Sequence, residues 1–276
     1  MLAKQLIYLQ CFLGGNMKIL RKRFAINIFM GFFLLNILFF ACSNKKFIKI
    51  GFVAGITGRV SELGISERAG ATLAVNEINE AGGINGRLIE LIVKDDQNDA
   101  ERALEVDKEL IDEGVVAIIG HATSTMTKAV VPLINKKNIL LISPTASTTD
   151  LSGIDDFLVR ITPLSDAEMK ALAKLANNLN IQKIAVIYDL SNMSLVENNL
   201  KFFRKYYKKN PNNKIISETS FTSKTEFEFF PIVKKAIDYN PDGIFILVSS
   251  VDTAQVCQQI RKIDKKLPIF SIGWAS

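Results

Sequence analysis

From Phe47 onward, short apolar runs alternate with longer amphipathic stretches, and this rhythm constrains the fold more than any other feature. Runs such as Val115-Val116-Ala117-Ile118-Ile119, Ile139-Leu140-Leu141-Ile142 and Gly243 to Val248 lack the polar alternation of a strand with one wet face. They read as parallel strands buried on both sides. Parallel neighbours need crossover connections, and the intervening stretches have helical length and periodicity. The first helix is expected over Ser66 to Ala81, burying Ala69, Leu73, Ala74 and Ile78 and stopping at Gly82-Gly83. Further helices are expected over Ala100 to Glu113, up to about Asn135, over Ser165 to Leu179, up to Tyr207, over Glu226 to Tyr239 and over Thr253 to Ile263. The fold class is α/β with parallel sheets. After Phe157 to Ile161 the rhythm restarts, which divides the folded part into lobes at 42–162 and 163–276. The last strand, Ile269 to Ile272, runs into Gly273-Trp274 with no covering helix after it, so the chain reads as C-terminally truncated.

Two of the apolar runs end in hydroxyl-rich loops, Gly120-His121-Ala122-Thr123-Ser124-Thr125-Met126-Thr127 and Ser143-Pro144-Thr145-Ala146-Ser147-Thr148-Thr149. Ligands of open α/β sheets gather where loops leave the carboxyl ends of strands. Hydroxyls and loop amides there suit a small polar guest. Capping accounts for one hydroxyl per helix and not for a run of them.

The charge of +6 comes mainly from the beginning of the chain. Lys4, Lys18, Arg21, Lys22 and Arg23 lie in residues 1–41 with no acid, and of 34 basic and 28 acidic residues the remainder is nearly balanced. No basic stripe for nucleic acid is left. The basic cluster precedes a greasy stretch, Phe24 to Phe40, which ends at Ala41-Cys42-Ser43-Asn44. That pattern reads as a secretion signal, with an uncleaved signal anchor as the alternative, and its end resembles the cleavage box of bacterial lipoproteins, which implies that Cys42 is lipidated, although Phe39 stands where Leu is usual. Met17 opens the basic region directly and is a second candidate start. Of the three cysteines only Cys257 belongs to the folded part, in a helical pattern beside Val256 and Ile260, and it reads as an inert thiol.

Enzyme signatures are missing from the sequence. It has no Gly-x-Ser-x-Gly elbow, no phosphate loop and no zinc spacing, and its single histidine, His121, reads as structural. Asp95-Asp96 and Asp155-Asp156 fall in turns, where adjacent carboxylates cap helices more often than they do chemistry.

The residues Thr57-Gly58, Leu63-Gly64, Gly70-Ala71, Asn79, Ala81-Gly82-Gly83-Ile84-Asn85-Gly86, Asp95-Asp96, Ile119-Gly120-His121, Thr123-Ser124 and Ser143-Pro144-Thr145-Ala146-Ser147 resemble the extracytoplasmic substrate-binding proteins of branched-chain amino-acid ABC transporters. The resemblance runs from Phe47 to Ser276 and is strongest before Thr162. It implies a type I periplasmic-binding fold: two Rossmann-like lobes that close on one small molecule, with an ABC permease as partner, no cofactor and no catalysis. It also implies that Ser124, beside Thr123, binds a ligand carboxylate, and that Thr145 and Ser147 hold an ammonium, with Ala146 on the same wall. From the second lobe it implies contacts at Asp189, Met193 with Leu195, Ser249 and Trp274. Trp274 stands where such proteins carry an acid that pairs with the ligand ammonium. Either Asp189 or Asp252 replaces that acid, or the ligand is not a simple amino acid. The expected function is a lipid-anchored solute-binding component of an importer for an amino acid or related compound. A ligand-sensing receptor module is the alternative, and an α/β enzyme a weaker one.

Overall fold

Nine strands fall into two wholly parallel sheets in a computed structural model that describes residues 47–225 and 228–275. The leader, Cys42 and the helix start expected at Glu226 lie outside the described residues. Strands β1 (Ile48–Ala54), β2 (Ile89–Asp95), β3 (Ala117–Gly120), β4 (Leu140–Ser143) and β5 (Leu158–Arg160) form the first sheet in the order β2-β1-β3-β4-β5. Strands β6 (Lys183–Asp189), β7 (Lys214–Phe221), β8 (Gly243–Leu247) and β9 (Ile269–Phe270) form the second, ordered β7-β6-β8-β9. Register is continuous across the first sheet, where Phe52 pairs with Val93 and Ile119, Ile119 with Ile142, and Ile142 with Val159. In both sheets the order reverses beside the first strand laid down, which opens a crevice at the carboxyl ends.

Helices cover both faces, as all-parallel pairing requires. Against the first sheet, α1 (Ser61–Glu80) packs on the side of Phe52 and Ala54, whereas α2 (Ala100–Asp112) and α3 (Ser124–Lys137) pack on the side of Val53, Ile118 and Leu141. Around the second sheet, α4 (Ser165–Asn178) and α5 (Met193–Tyr207) cover Ile184, Val186 and Phe245. On its other face α6 (Phe229–Ile237) and α7 (Ser250–Ile263) cover Ala185, Ile187 and Ile246.

The first helix departs from its expected placement. It begins at Ser61, and Ala69, Leu73, Ala74 and Ile78 face solvent, with Leu73 60% exposed. The face turned inward carries Leu63, Gly64, Glu67 and Ala71. Small residues decide this: a Cβ on Gly64 would lie 2.3 Å from the Gly55 carbonyl oxygen, so α1 approaches the end of β1 more closely than the larger stripe would permit. A carboxylate, Glu67, is drawn under the sheet edge as a result. Gly120 has a comparable role at the end of β3, with φ of +145° and space for no side chain, since a Cβ would meet the Val53 carbonyl oxygen at 2.1 Å. The first hydroxyl loop thereby starts directly against β1.

Aromatic packing anchors the second sheet. Phe203 is 1% exposed and lies 5.0 Å from the Tyr207 ring and 4.7 Å from the Phe245 ring. Removing a buried ring of this kind costs about 3–5 kcal/mol. Phe203→Ala should therefore lower the free energy of unfolding from urea titration by that amount, moving the midpoint to lower urea, while leaving the far-UV circular dichroism of the folded protein unchanged.

Candidate functional site

A cleft of about 420 Å³ opens at the carboxyl ends of strands from both sheets. That volume suits a small metabolite. The loop after β3 contributes Ala122 and Ser124, the loop after β4 contributes Thr145 and Ser147, and the loop after β5 contributes Thr162, Pro163 and Leu164. The second sheet supplies Asn192 and Leu195 after β6, and Ile272, Gly273 and Trp274 after β9. Glu168, from the start of α4, completes the wall.

Ser124 is the first residue of α3 and is 1% exposed, and its hydroxyl has no hydrogen-bond partner among the described residues. A buried hydroxyl without a partner is costly unless something else occupies it. Its position at a helix N-terminus, where backbone N–H groups and the helix dipole favour negative charge, matches an anionic group. Thr123 caps the same helix, accepting from the Met126 amide, and donates to Asn98 Oδ1.

Beneath this loop lies a buried charge cluster. His121 Nδ1 is 2.7 Å from Asp96 Oδ2 and its Nε2 is 3.3 Å from Asp107 Oδ2, with all three side chains fully buried. Burial alone would lower the imidazole pKa, but the two carboxylates outweigh it and raise the pKa to about 10, so the ring is a cation at neutral pH. His121 thus ties the turn after β2 and helix α2 to the start of the first hydroxyl loop. Thr145 joins a second network. Its hydroxyl lies 2.7 Å from the Ala122 carbonyl oxygen and 2.8 Å from Glu67 Oε1. One hydroxyl has one proton, and a carbonyl can only accept, so the second contact is satisfied when Glu67 brings its own proton. Burial raises the Glu67 pKa to about 7, against the lowering effects of the Thr145 hydrogen bond and the His121 charge.

Of the residues singled out in the sequence, Ser124, Thr145, Ser147, Leu195 and Trp274 line the cleft. The others do not. Ala146 is fully buried, its amide donating to Ser143 Oγ and its carbonyl accepting from Arg160. Thr123 is turned to its cap and to Asn98. Asp189 is fully buried and accepts from the Ser191 amide and hydroxyl and from the Ser223 amide. Met193 packs against the core of the second sheet, and Ser249 is buried as the cap of α7, accepting from the Asp252 amide. Asp252, the other candidate counter-charge, is paired with Arg59 at 2.7 Å. Local capping and turn closure claimed these side chains. The residues the sequence did not single out are chiefly Glu168, Asn192 and the Thr162-Pro163-Leu164 loop. The only signal for them was that they follow the carboxyl ends of strands.

Several bonds cross between the two halves around the cleft. Asn192 Oδ1 accepts from the Thr125 amide at 3.3 Å and from its hydroxyl at 3.1 Å, and the Ser194 amide donates to the same hydroxyl. Asn198 donates to Thr149, Ser250 to Glu62, and Lys224 pairs with Asp99. With Arg59 and Asp252, these hold the second half against the first. Among the described residues no group of acids, histidines and cysteines is arranged to hold a metal ion, and no helix is long and apolar enough to cross a membrane.

Two parallel sheets with one polar cleft at their carboxyl ends define a two-lobed α/β binding protein. The chain matches the family described as periplasmic binding protein over residues 48–275 and belongs to it. Over 144 residues it is 31% identical to the leucine-, isoleucine-, valine-, threonine-, and alanine-binding protein of Pseudomonas aeruginosa, covering 51% of this chain and 39% of that one. The Leu/Ile/Val-binding protein of Escherichia coli is 30% identical over 144 residues, with 51% and 39% covered. Among solved structures, the branched-chain amino acid transporter substrate-binding protein of Streptococcus pneumoniae in complex with isoleucine is similar with a TM-score of 0.71 and 29% identity, covering 82% of this chain and 64% of that one. A solute-binding protein from R. palustris in complex with benzoate shares the fold with a TM-score of 0.74, 18% identity, and 84% and 63% covered. The chain thus spans less than two thirds of the length of these relatives. These relatives are named for binding, and the family described as periplasmic binding protein implies an extracytoplasmic location.

The Glu67 network makes stability depend on pH. The folded carboxyl keeps its proton up to about pH 7, whereas the unfolded one releases it near its ordinary value of 4.5. Between these values the native state binds more protons, so stability falls as pH rises, by on the order of 3 kcal/mol at most. In urea titrations from pH 4.5 to 7.5, Glu67→Gln should lack that component, its amide donating permanently to Thr145.

Proposed function

We propose that the chain is the solute-binding component of an ABC importer, with lobes at 42–162 and 163–276 that close on an amino acid or a related small polar compound. The observation that carries this reading is the unpartnered hydroxyl of Ser124 at the N-terminus of α3, inside a cleft of about 420 Å³ built from both sheets. Ser124 accepts the role of carboxylate anchor, with Thr145 and Ser147 on the adjoining wall as polar contacts and Trp274, Leu195 and Ile272 as the apolar surround. Similarity to amino-acid-binding relatives supports the ligand class. In this reading Cys42 carries a lipid that anchors the protein to the outer face of a membrane, where it meets its permease.

A calorimetric panel of leucine, isoleucine, valine, threonine, alanine and aromatic carboxylates tests the reading. At least one should bind saturably and raise the melting temperature, as any ligand of the native state must. Ser124→Ala removes a hydrogen bond to a charged group and should weaken that ligand about 10- to 100-fold without lowering the melting temperature of the free protein. Absence of binding across the panel would overturn the assignment. For the anchor, Cys42→Ser should abolish incorporation of labelled palmitate and release the protein from the membrane fraction.

A further inference from the structure

A ligand with two opposite charges needs a complement for each, and the cleft holds one fixed charge of its own. Among the residues that line it, Glu168 is the sole ionisable side chain, with no lysine, arginine or histidine beside it. The two acids that the sequence offered as counter-charges are both engaged elsewhere, Asp189 by Ser191 and Ser223, and Asp252 by Arg59. Glu168 is placed differently. It stands in the first turn of α4, and its Oε1 accepts from the Gly273 amide at 3.0 Å, which fixes the carboxylate beside Trp274 on the wall built by the second sheet. Its other oxygen bonds none of the described residues. The opposite polarity comes from the first sheet, where the buried, unpartnered Ser124 hydroxyl sits at the N-terminus of α3.

We propose that Glu168 decides which charge type the cleft accepts: its carboxylate holds a cationic amine of the ligand and excludes molecules that carry a carboxylate alone. This rests on the solute-binding reading given above and narrows it to compounds bearing both a carboxylate and an amine. The physical reason is electrostatic. A carboxylate ligand drawn to the α3 terminus shares the cleft with Glu168, and like charges there repel unless a cation lies between them. An α-amino acid supplies that cation, and its apolar side chain then meets Trp274, Leu195 and Ile272. A benzoate-type ligand does not.

The alternative role for Glu168 is mechanical, as an acceptor that holds the loop after β9 through Gly273. Glu168→Gln separates the two, because the amide oxygen still accepts from Gly273 while the charge is gone. Affinities are to be measured by calorimetry on the full chain in detergent, using two matched pairs, L-leucine with 4-methylpentanoate and L-alanine with propionate, which differ only in the amine. The wild type should prefer the amino acid of a pair by about tenfold or more, and Glu168→Gln should lose most of that preference by weakening the amino acid and strengthening its deaminated partner. An unchanged preference in Glu168→Gln overturns the proposal. So does a wild type that binds deaminated acids as tightly as amino acids, and in that case the solute-binding reading survives. Failure of the wild type to bind either member of both pairs removes the two together. Ser124→Ala provides the control, since it should weaken both members of a pair alike.

Discussion

Parallel strand pairing is the constraint on which the rest of this structure depends. When neighbouring strands run in the same direction, every chain must return by a crossover, and all the loops leaving the carboxyl ends accumulate along one edge. Residues as distant as Ser124 and Trp274 meet for this reason and for no local one. The same pairing buries both faces of each sheet, which is why β6 and β8 are almost continuously apolar and why polar chemistry is confined to the strand ends. Nothing in the cleft is built from a strand interior.

At that edge the polar groups are held by charge as well as by packing. His121 as a buried cation between Asp96 and Asp107 links the turn after β2, helix α2 and the loop after β3. Removing one member of such a cluster leaves the others buried and uncompensated, so the three are retained together. Glu67, nearby and neutral when protonated, adds no further negative charge to a site that already contains two carboxylates for one imidazolium. The hydroxyl wall of the cleft is therefore backed by groups whose protonation is set by burial and mutual charge.

How much of this was legible in the sequence depends on the scale of the pattern. Strands announced themselves because buried parallel strands are short apolar runs between turn signals, and β3, β4 and β8 fall close to their expected positions. The face of α1 did not, because the inward stripe of Leu63, Gly64, Glu67 and Ala71 looks less apolar than Leu73 and Ile78, and close approach of backbones outweighs side-chain size there. At the cleft, Ser124, Thr145 and Ser147 stood out as hydroxyls after apolar runs. Asp189 and Ser249 also follow apolar runs, yet each closes a local turn or cap, an outcome that depends on loop geometry and not on residue type. Glu168 was overlooked because an acid in the first turn of a helix is ordinarily explained by the helix dipole.

Asn192 brings a further consequence. Its carbonyl oxygen takes the Thr125 amide, so a side chain of the second half occupies part of the same helix terminus at which an anion would sit. The partial positive charge of α3 is thus shared between a neighbour within the protein and any guest. A guest's negative charge and the apposition of the two halves are then thermodynamically linked through a single helix end, and by reciprocity whatever strengthens one alters the other by the same factor.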